Sequence, residues 1–167
     1  DGRVKTLHPR IHAGLLAQRS SHDHVTTLNE HGIEPIDLVC VNLYPFQTVT
    51  ARRNVREEDA VEMIDIGGPA LLRAAAKNFV DVVPVCEASR YEEILAELGA
   101  GGVRLDTRRR LAAEAFAHTA AYETSIAAWF ADVETFPPKL LLSLEREQEL
   151  VYGENPHQRA AYYAEAG

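Results

Sequence analysis

The sequence predicts an α/β fold built on a mostly parallel sheet, and two observations predict it. Residues 36–43 and 80–86 are largely apolar runs without the alternation of a half-exposed strand, the pattern of strands covered on both faces. Segments with helical spacing separate and follow them at 57–64, 69–77 and 89–98. Strands that alternate with helices in this way join as parallel neighbours.

Taken in order, residues 1–9 hold two basic side chains, a hydroxyl, a His and a Pro without a period, and so form a loop leading into a short element at 10–17. Residues 22–31 make a helix, with Gly32 placed as its C-terminal cap. The first strand then ends abruptly at Tyr44-Pro45, and a loop follows. Residues 57–64 open on acidic side chains and set Ala60, Val61 and Ile64 on one side, until Asp65-Ile66-Gly67-Gly68-Pro69 interrupts the pattern. Pro69 suits a first helical position, residues 70–77 are strong helix formers, and Asn78 is a reasonable cap. After the second strand, the helix at 89–98 is stopped by Gly99, Gly101 and Gly102. One long, broadly apolar helix is expected at 107–132, with alanines that permit close approach by a helix of another domain or subunit. Phe136-Pro137-Pro138 marks a linker, which divides the chain into domains at 1–138 and 139–167. Beyond it, 139–144 is expected as a strand, 145–149 as a charged connection and 151–158 as a turn-rich motif.

At 167 residues there is room for one domain, or for one domain and a fragment of a second. The chain is 46% hydrophobic and 25% charged, which excludes disorder, and no apolar stretch approaches the roughly 18 residues of a membrane span. Seventeen basic against 25 acidic residues give a net charge of −8, so the overall field repels polyanions. A broad nucleic-acid surface is excluded, whereas a local basic pocket for one phosphate is not. Cys40 and Cys86 both sit in apolar runs, where a thiol acts as a small hydrophobe, and two such residues make no disulfide framework. The first residues lack an initiator Met and the apolar segment of a signal peptide, and read as a start in mid-domain.

Arg3, Lys5 and Thr6 present guanidinium, ammonium and hydroxyl donors on one loop, a set that suits phosphate or carboxylate but is also common on solvated loops. Two glycines at the head of a helix, Gly67 and Gly68, let a ligand approach backbone N–H groups at the positive end of the helix dipole, with Asp65 alongside. A simple cap and turn would use the same residues. Asn42 and Tyr44 follow the carboxyl end of a predicted strand, where open parallel sheets bind ligands, although Tyr44 would equally serve as a core aromatic. Lys77 ends its helix, where a cation also complements the dipole. His8 with His12, and His22 with His24, lack the further ligands of a zinc site. Ser20 and Ser21 have no nucleophile motif around them, and Arg108-Arg109-Arg110 is a solvated helix start.

Four motifs in order, Arg3-Val4-Lys5-Thr6-Leu7-His8-Pro9, Val41-Asn42-Leu43-Tyr44-Pro45-Phe46, Ile64-Asp65-Ile66-Gly67-Gly68-Pro69 and Ala74-Ala75-Ala76-Lys77-Asn78, resemble the inosine monophosphate (IMP) cyclohydrolase domain of the bifunctional purine biosynthesis family. Tyr152-Gly153-Glu154-Asn155-Pro156-His157-Gln158 resembles the opening of that family's second domain, the aminoimidazole carboxamide ribotide (AICAR) transformylase. Family members carry Arg before this last motif, and here the position is Val151.

The resemblance implies a methylglyoxal-synthase-like three-layer α/β/α domain without its first strand and glycine-rich turn, followed by the start of the second domain. It implies closure of the purine ring of formamido-AICAR (FAICAR) to IMP and water. On this basis Lys77 donates to the developing oxyanion, Asp65 orients or deprotonates the carboxamide, and Lys5 and Tyr44 complete the polar shell. Arg3, Val4, Thr6, Val41, Asn42, Ile66, Gly67 and Gly68 hold the nucleotide, and Tyr152 is a substrate contact of the transformylase domain. Ring closure needs no metal or organic cofactor. Formyl transfer uses 10-formyltetrahydrofolate, and its Lys-His pair falls beyond this stretch. A cytosolic homodimer is implied, as is the absence of membrane or nucleic-acid partners. A non-catalytic nucleotide-binding regulatory module and a structural piece supporting dimerisation are the rival readings. One geometric difficulty is legible in advance: a straight helix over 69–77 puts its ends roughly 12 Å apart, so Asp65 and Lys77 share a ligand only by a fold-back, an extended lysine or a neighbouring subunit.

Overall fold

A computed structural model describes residues 6–131 and 136–165. The chain divides into two compact units, Asp1–Tyr122 and Glu123–Gly167. The boundary expected after Pro138 lies inside the second of these.

In the first unit, helices α1 (Pro9–Leu16) and α2 (His22–Glu30) precede strand β1 (Leu38–Cys40). His8 caps α1 by accepting from the Arg10 N–H, and Ser21 caps α2. Gly32 adopts φ 57°, the left-handed conformation that a residue closing a helix needs and that glycine takes without steric cost. The Arg10 guanidinium donates to the carbonyls of His31 and Gly32, which satisfies the end of α2 from α1.

Helices α3 (Phe46–Thr50), α4 (Glu57–Glu62) and α5 (Gly67–Lys77) come next, followed by strand β2 (Val83–Val85). A 3-10 turn at Ala88–Arg90 then leads into α6 (Tyr91–Gly99). The long helix α7 (Leu105–Ala131) contributes its residues up to Tyr122 to this unit. β1 and β2 are parallel, with Leu38 opposite Val83 and Cys40 opposite Val85, as the alternation of apolar runs and helices predicts.

Both strands are shorter than their apolar runs. All three residues of β2 are buried, whereas β1 buries only Val39 and exposes Leu38 and Cys40. The expectation of two fully covered strands therefore holds for β2 alone. Val83 and Val85 pack with Ile94, Val103 and Leu111. Val82 and Cys86, of opposite parity, pack with Leu15, Leu72, Ala75 and Ala115. Alanines along α5 allow that helix to lie close on the sheet and on α1.

Two expected boundaries need correction. α5 begins at Gly67, two residues before Pro69, because the Asp65 carboxylate accepts from the Gly68 N–H and winds the turn early. Proline is tolerated there because first-turn N–H groups have no intrahelical partner. In the second unit, the strand expected at 139–144 and the charged connection at 145–149 give way to β3 (Leu144–Leu150), paired antiparallel with β4 (Ala160–Glu165). Every residue of β3 is exposed, so its charges stay in water and do not oppose pairing. No helix among the described residues is long and apolar enough to cross a membrane.

Candidate functional site

The carboxyl end of β1 opens onto a cleft of about 950 Å³ in the first unit. Three separated stretches line it: the loop at Thr6 and Leu7, the β1 exit with Val41, Asn42 and Tyr44, and the α4–α5 connection from Val61 to Leu71. Asp65 and Gly68 tie the last of these together, since Asp65 Oδ1 accepts from the Gly68 N–H at 2.8 Å. The carboxylate is thereby fixed at the positive end of α5 with one oxygen committed.

Both glycines leave room for neighbouring side chains. A β-carbon on Gly67 would overlap the Thr6 hydroxyl, and one on Gly68 would meet Asp65 Oδ2 and, at 2.8 Å, Leu43 Cδ2. The side chains of Thr6, from the N-terminal loop, and of Leu43, from the β1 exit, thus approach the start of α5 most closely where that helix has no side chains of its own.

Of the residues the sequence singles out, Thr6, Val41, Asn42, Tyr44, Asp65, Ile66, Gly67 and Gly68 all line this cleft. Tyr44 is 54% exposed, so it stands at the cleft and is no core aromatic. Arg3, Val4 and Lys5 lie outside the described residues. Lys77 is not brought to the cleft: it is exposed at the last position of α5, roughly 15 Å along the axis from Gly67. Because α5 is continuous, there is no fold-back, and a lysine side chain does not span that length. Tyr152 is exposed in the second unit, at a turn closed by the Gly153 N–H donating to the Gln158 carbonyl at 2.9 Å. Val151 beside it is 95% exposed.

Sequence reasoning missed two neighbours of the site. Tyr122, read only as part of an apolar helix face, accepts from the Asp65 N–H through its hydroxyl at 2.9 Å. Tyr91, at the start of α6, accepts from the Cys40 thiol at 3.3 Å; this contact pushes its phenol pKa up, while a hydrogen bond with Asn42 opposes the shift. Only the aromatic character of these residues was visible in the sequence, since hydrogen bonds across fifty or more residues leave no periodic trace.

Among the described residues, Cys86, Glu87 and His118 place three ligand-type atoms within 4.8 Å of one another. His118 Nδ1 already stands 3.3 Å from Glu87, and Cys86 is buried in the core. None of the four histidines considered from the sequence belongs to this group.

Comparison with known proteins bears on the same residues. The curated relatives include the bifunctional purine biosynthesis protein PurH of Listeria monocytogenes serotype 4b, 52% identical over 170 residues that cover all of this chain and 33% of that protein. PurH of Halalkalibacterium halodurans is 54% identical over 166 residues, covering 98% of the chain and 32% of that protein. The chain therefore spans about a third of the length of these relatives. Among solved structures, that of ForH superposes with a TM-score of 0.68 at 37% identity, covering 78% of this chain and 67% of that one, in keeping with the α/β fold. The profile of the AICARFT/IMPCHase bienzyme matches residues 75–167, more than half of the sequence. The four motifs, the cleft that gathers three of them, and similarity along the whole length lead to one conclusion: the chain belongs to the AICARFT/IMPCHase bienzyme family.

Proposed function

We propose that this chain serves purine biosynthesis as the greater part of an IMP cyclohydrolase domain of methylglyoxal-synthase-like, three-layer fold, extending to Pro138 and followed by the start of a transformylase domain. The substrate is FAICAR. Its carboxamide nitrogen attacks its own formyl carbon, a C–N bond forms, and the former formyl oxygen departs as water. An amide nitrogen is a poor nucleophile, so the protein has to hold the carboxamide against the formyl group, take a proton and stabilise the oxyanion.

The observation that carries this reading is the meeting of Thr6, Asn42, Tyr44, Asp65 and the two glycines at one cleft. Asp65, with Oδ1 held by Gly68, has Oδ2 to orient or deprotonate the carboxamide. Tyr44 and Asn42 are polar contacts from the β1 exit, and Thr6 stands with Arg3, Val4, Lys5 and the Ile66–Gly67–Gly68 backbone in holding the nucleotide. Lys77 supplies the oxyanion contact at the cleft of a second copy, and the active form is a cytosolic homodimer. Ring closure uses no metal or cofactor. Formyl transfer with 10-formyltetrahydrofolate, and a substrate contact by Tyr152, belong to the family's second activity.

The test is cyclisation of FAICAR by the full-length protein. Asp65→Asn is expected to lower kcat by about a hundredfold or more, the scale of losing one positioned proton acceptor; turnover at the wild-type rate would reject the assignment. A binding-only module is favoured by one observation, the distance of Lys77 from the cleft. It predicts IMP binding without any turnover by the wild type.

A further inference from the structure

Tyr122 belongs to none of the motifs of the site, yet it touches two of the segments that form the cleft. Its hydroxyl accepts from the Asp65 N–H at 2.9 Å and donates to the Met63 carbonyl at 2.9 Å. The break between α4 and α5 leaves these two backbone groups outside either helix, so one phenol completes the turn that carries Asp65. Part of that turn is open to solvent, Ile66 being 64% exposed, and two glycines follow it.

The ring of Tyr122 stands edge-on to Phe46, with centroids 6.4 Å apart and planes at 72°. Phe46 is 1% exposed and anchors the segment that carries Tyr44, whose carbonyl accepts from the Phe46 N–H at 2.8 Å. A single side chain of α7 therefore links the loop of the carboxylate to the loop of the tyrosine.

We propose that Tyr122 is a positioning residue: its hydroxyl fixes where the Asp65 carboxylate stands, and its ring holds that turn in register with the Tyr44 loop. The catalytic part of this inference rests on the cyclohydrolase reading above. A displacement of about 1 Å at a reacting group is enough to cost on the order of a hundredfold in rate, so a hydroxyl that never meets substrate can still set kcat.

The experiment uses the full-length protein and Tyr122→Phe, which keeps the ring and removes the bridge. The Asp65 amide is expected to exchange with solvent at least about tenfold faster while the amides later in α5 keep their protection. For FAICAR cyclisation, kcat is expected to fall about ten- to a hundredfold with KM changed by less than about threefold. The double variant Asp65→Asn/Tyr122→Phe is expected to be no slower than Asp65→Asn, because both changes act through one carboxylate. Unchanged exchange at Asp65, an unchanged kcat, or losses that multiply in the double variant would each overturn the proposal. If the wild type does not cyclise FAICAR, the functional reading fails, and the exchange measurement still decides the structural role of Tyr122.

Discussion

Gly67 passes so close beneath the Thr6 hydroxyl that a side chain at position 67 would have to push the Thr6 side chain aside. Alanine restricts the unfolded chain more than glycine does, so Gly67→Ala sets a small gain against a displaced Thr6 side chain. The melting temperature is expected to hold or rise slightly. On the cyclohydrolase reading, calorimetric affinity of the full-length protein for IMP is expected to fall about tenfold, equivalent to about 1.4 kcal/mol.

Gly68 should behave differently, since its neighbours are the capping carboxylate and Leu43 Cδ2 at 2.8 Å inside the packed start of α5. Gly68→Ala is expected to destabilise the fold by about 1–3 kcal/mol, the range for overfilling a packed site. Urea denaturation of the two variants side by side checks the contrast.

Asn78 is buried where α5 ends, and its side-chain amide donates to the carbonyls of Leu15 at 2.8 Å and Ala17 at 3.1 Å. The residue that follows Lys77 thus closes α1 as well as its own helix. Asn78→Ala leaves a buried carbonyl without its donor and is expected to cost about 1–3 kcal/mol in chemical denaturation.

Placing Lys77 at the cleft of a second copy has a direct consequence in mixtures. On that reading Asp65→Asn and Lys77→Ala proteins, each strongly impaired alone, are expected to regain activity when unfolded together and refolded. With random pairing in a two-fold dimer, half of the dimers hold one intact site, so recovery should approach about one quarter of wild type. No recovery would place both groups on one copy, and a fully active Lys77→Ala would remove Lys77 from the reaction.

The start of α7 carries a pH-dependent contribution to stability. Glu97 accepts from the Arg104 N–H at 2.9 Å and from the Thr107 hydroxyl at 2.8 Å, and these bonds hold its carboxyl below the ordinary value of 4.5. A pKa lowered on folding adds stability that is fully present above the unfolded value and is lost as pH falls through the folded one. The melting deficit of Glu97→Gln should therefore be constant from neutrality down to about pH 5 and shrink below 4.5. A deficit that persists at pH 2 would assign the effect to packing.

The two thiols are expected to differ sharply toward alkylation. Burial, with help from Glu87 and Glu114, pushes the Cys86 pKa up to about 11, which leaves only about one thiolate in a thousand at pH 8. Cys40 is exposed. Iodoacetamide followed by mass spectrometry should modify Cys40 first and Cys86 only on unfolding.

Most of the first unit is legible in the sequence because its helices are punctuated by residues with local roles, such as Gly32, Asn78 and the acidic start of α4. The strands were located but overextended, since hydrophobicity marks burial and not pairing, and residues such as Val80 and Val82 flank β2 without belonging to it. α3 went unseen behind Pro45, and β4 behind a turn-rich stretch. At the cleft, local motifs disclosed Asp65, Gly67, Gly68, Asn42 and Tyr44. Tyr122 was beyond reach, because its spacing fits an apolar stripe and its hydroxyl acts on a turn far back in the chain.

Asp65 spends one oxygen on the Gly68 N–H, and so the same carboxylate shapes the backbone and faces the cleft. A change at this position that discards both oxygens would loosen the architecture and, on the cyclohydrolase reading, silence the chemistry at once, and a genetic screen would score the two defects as one. Only an amide of equal shape, which retains an acceptor for the helix and surrenders the charge, separates what holds the molecule together from what it does.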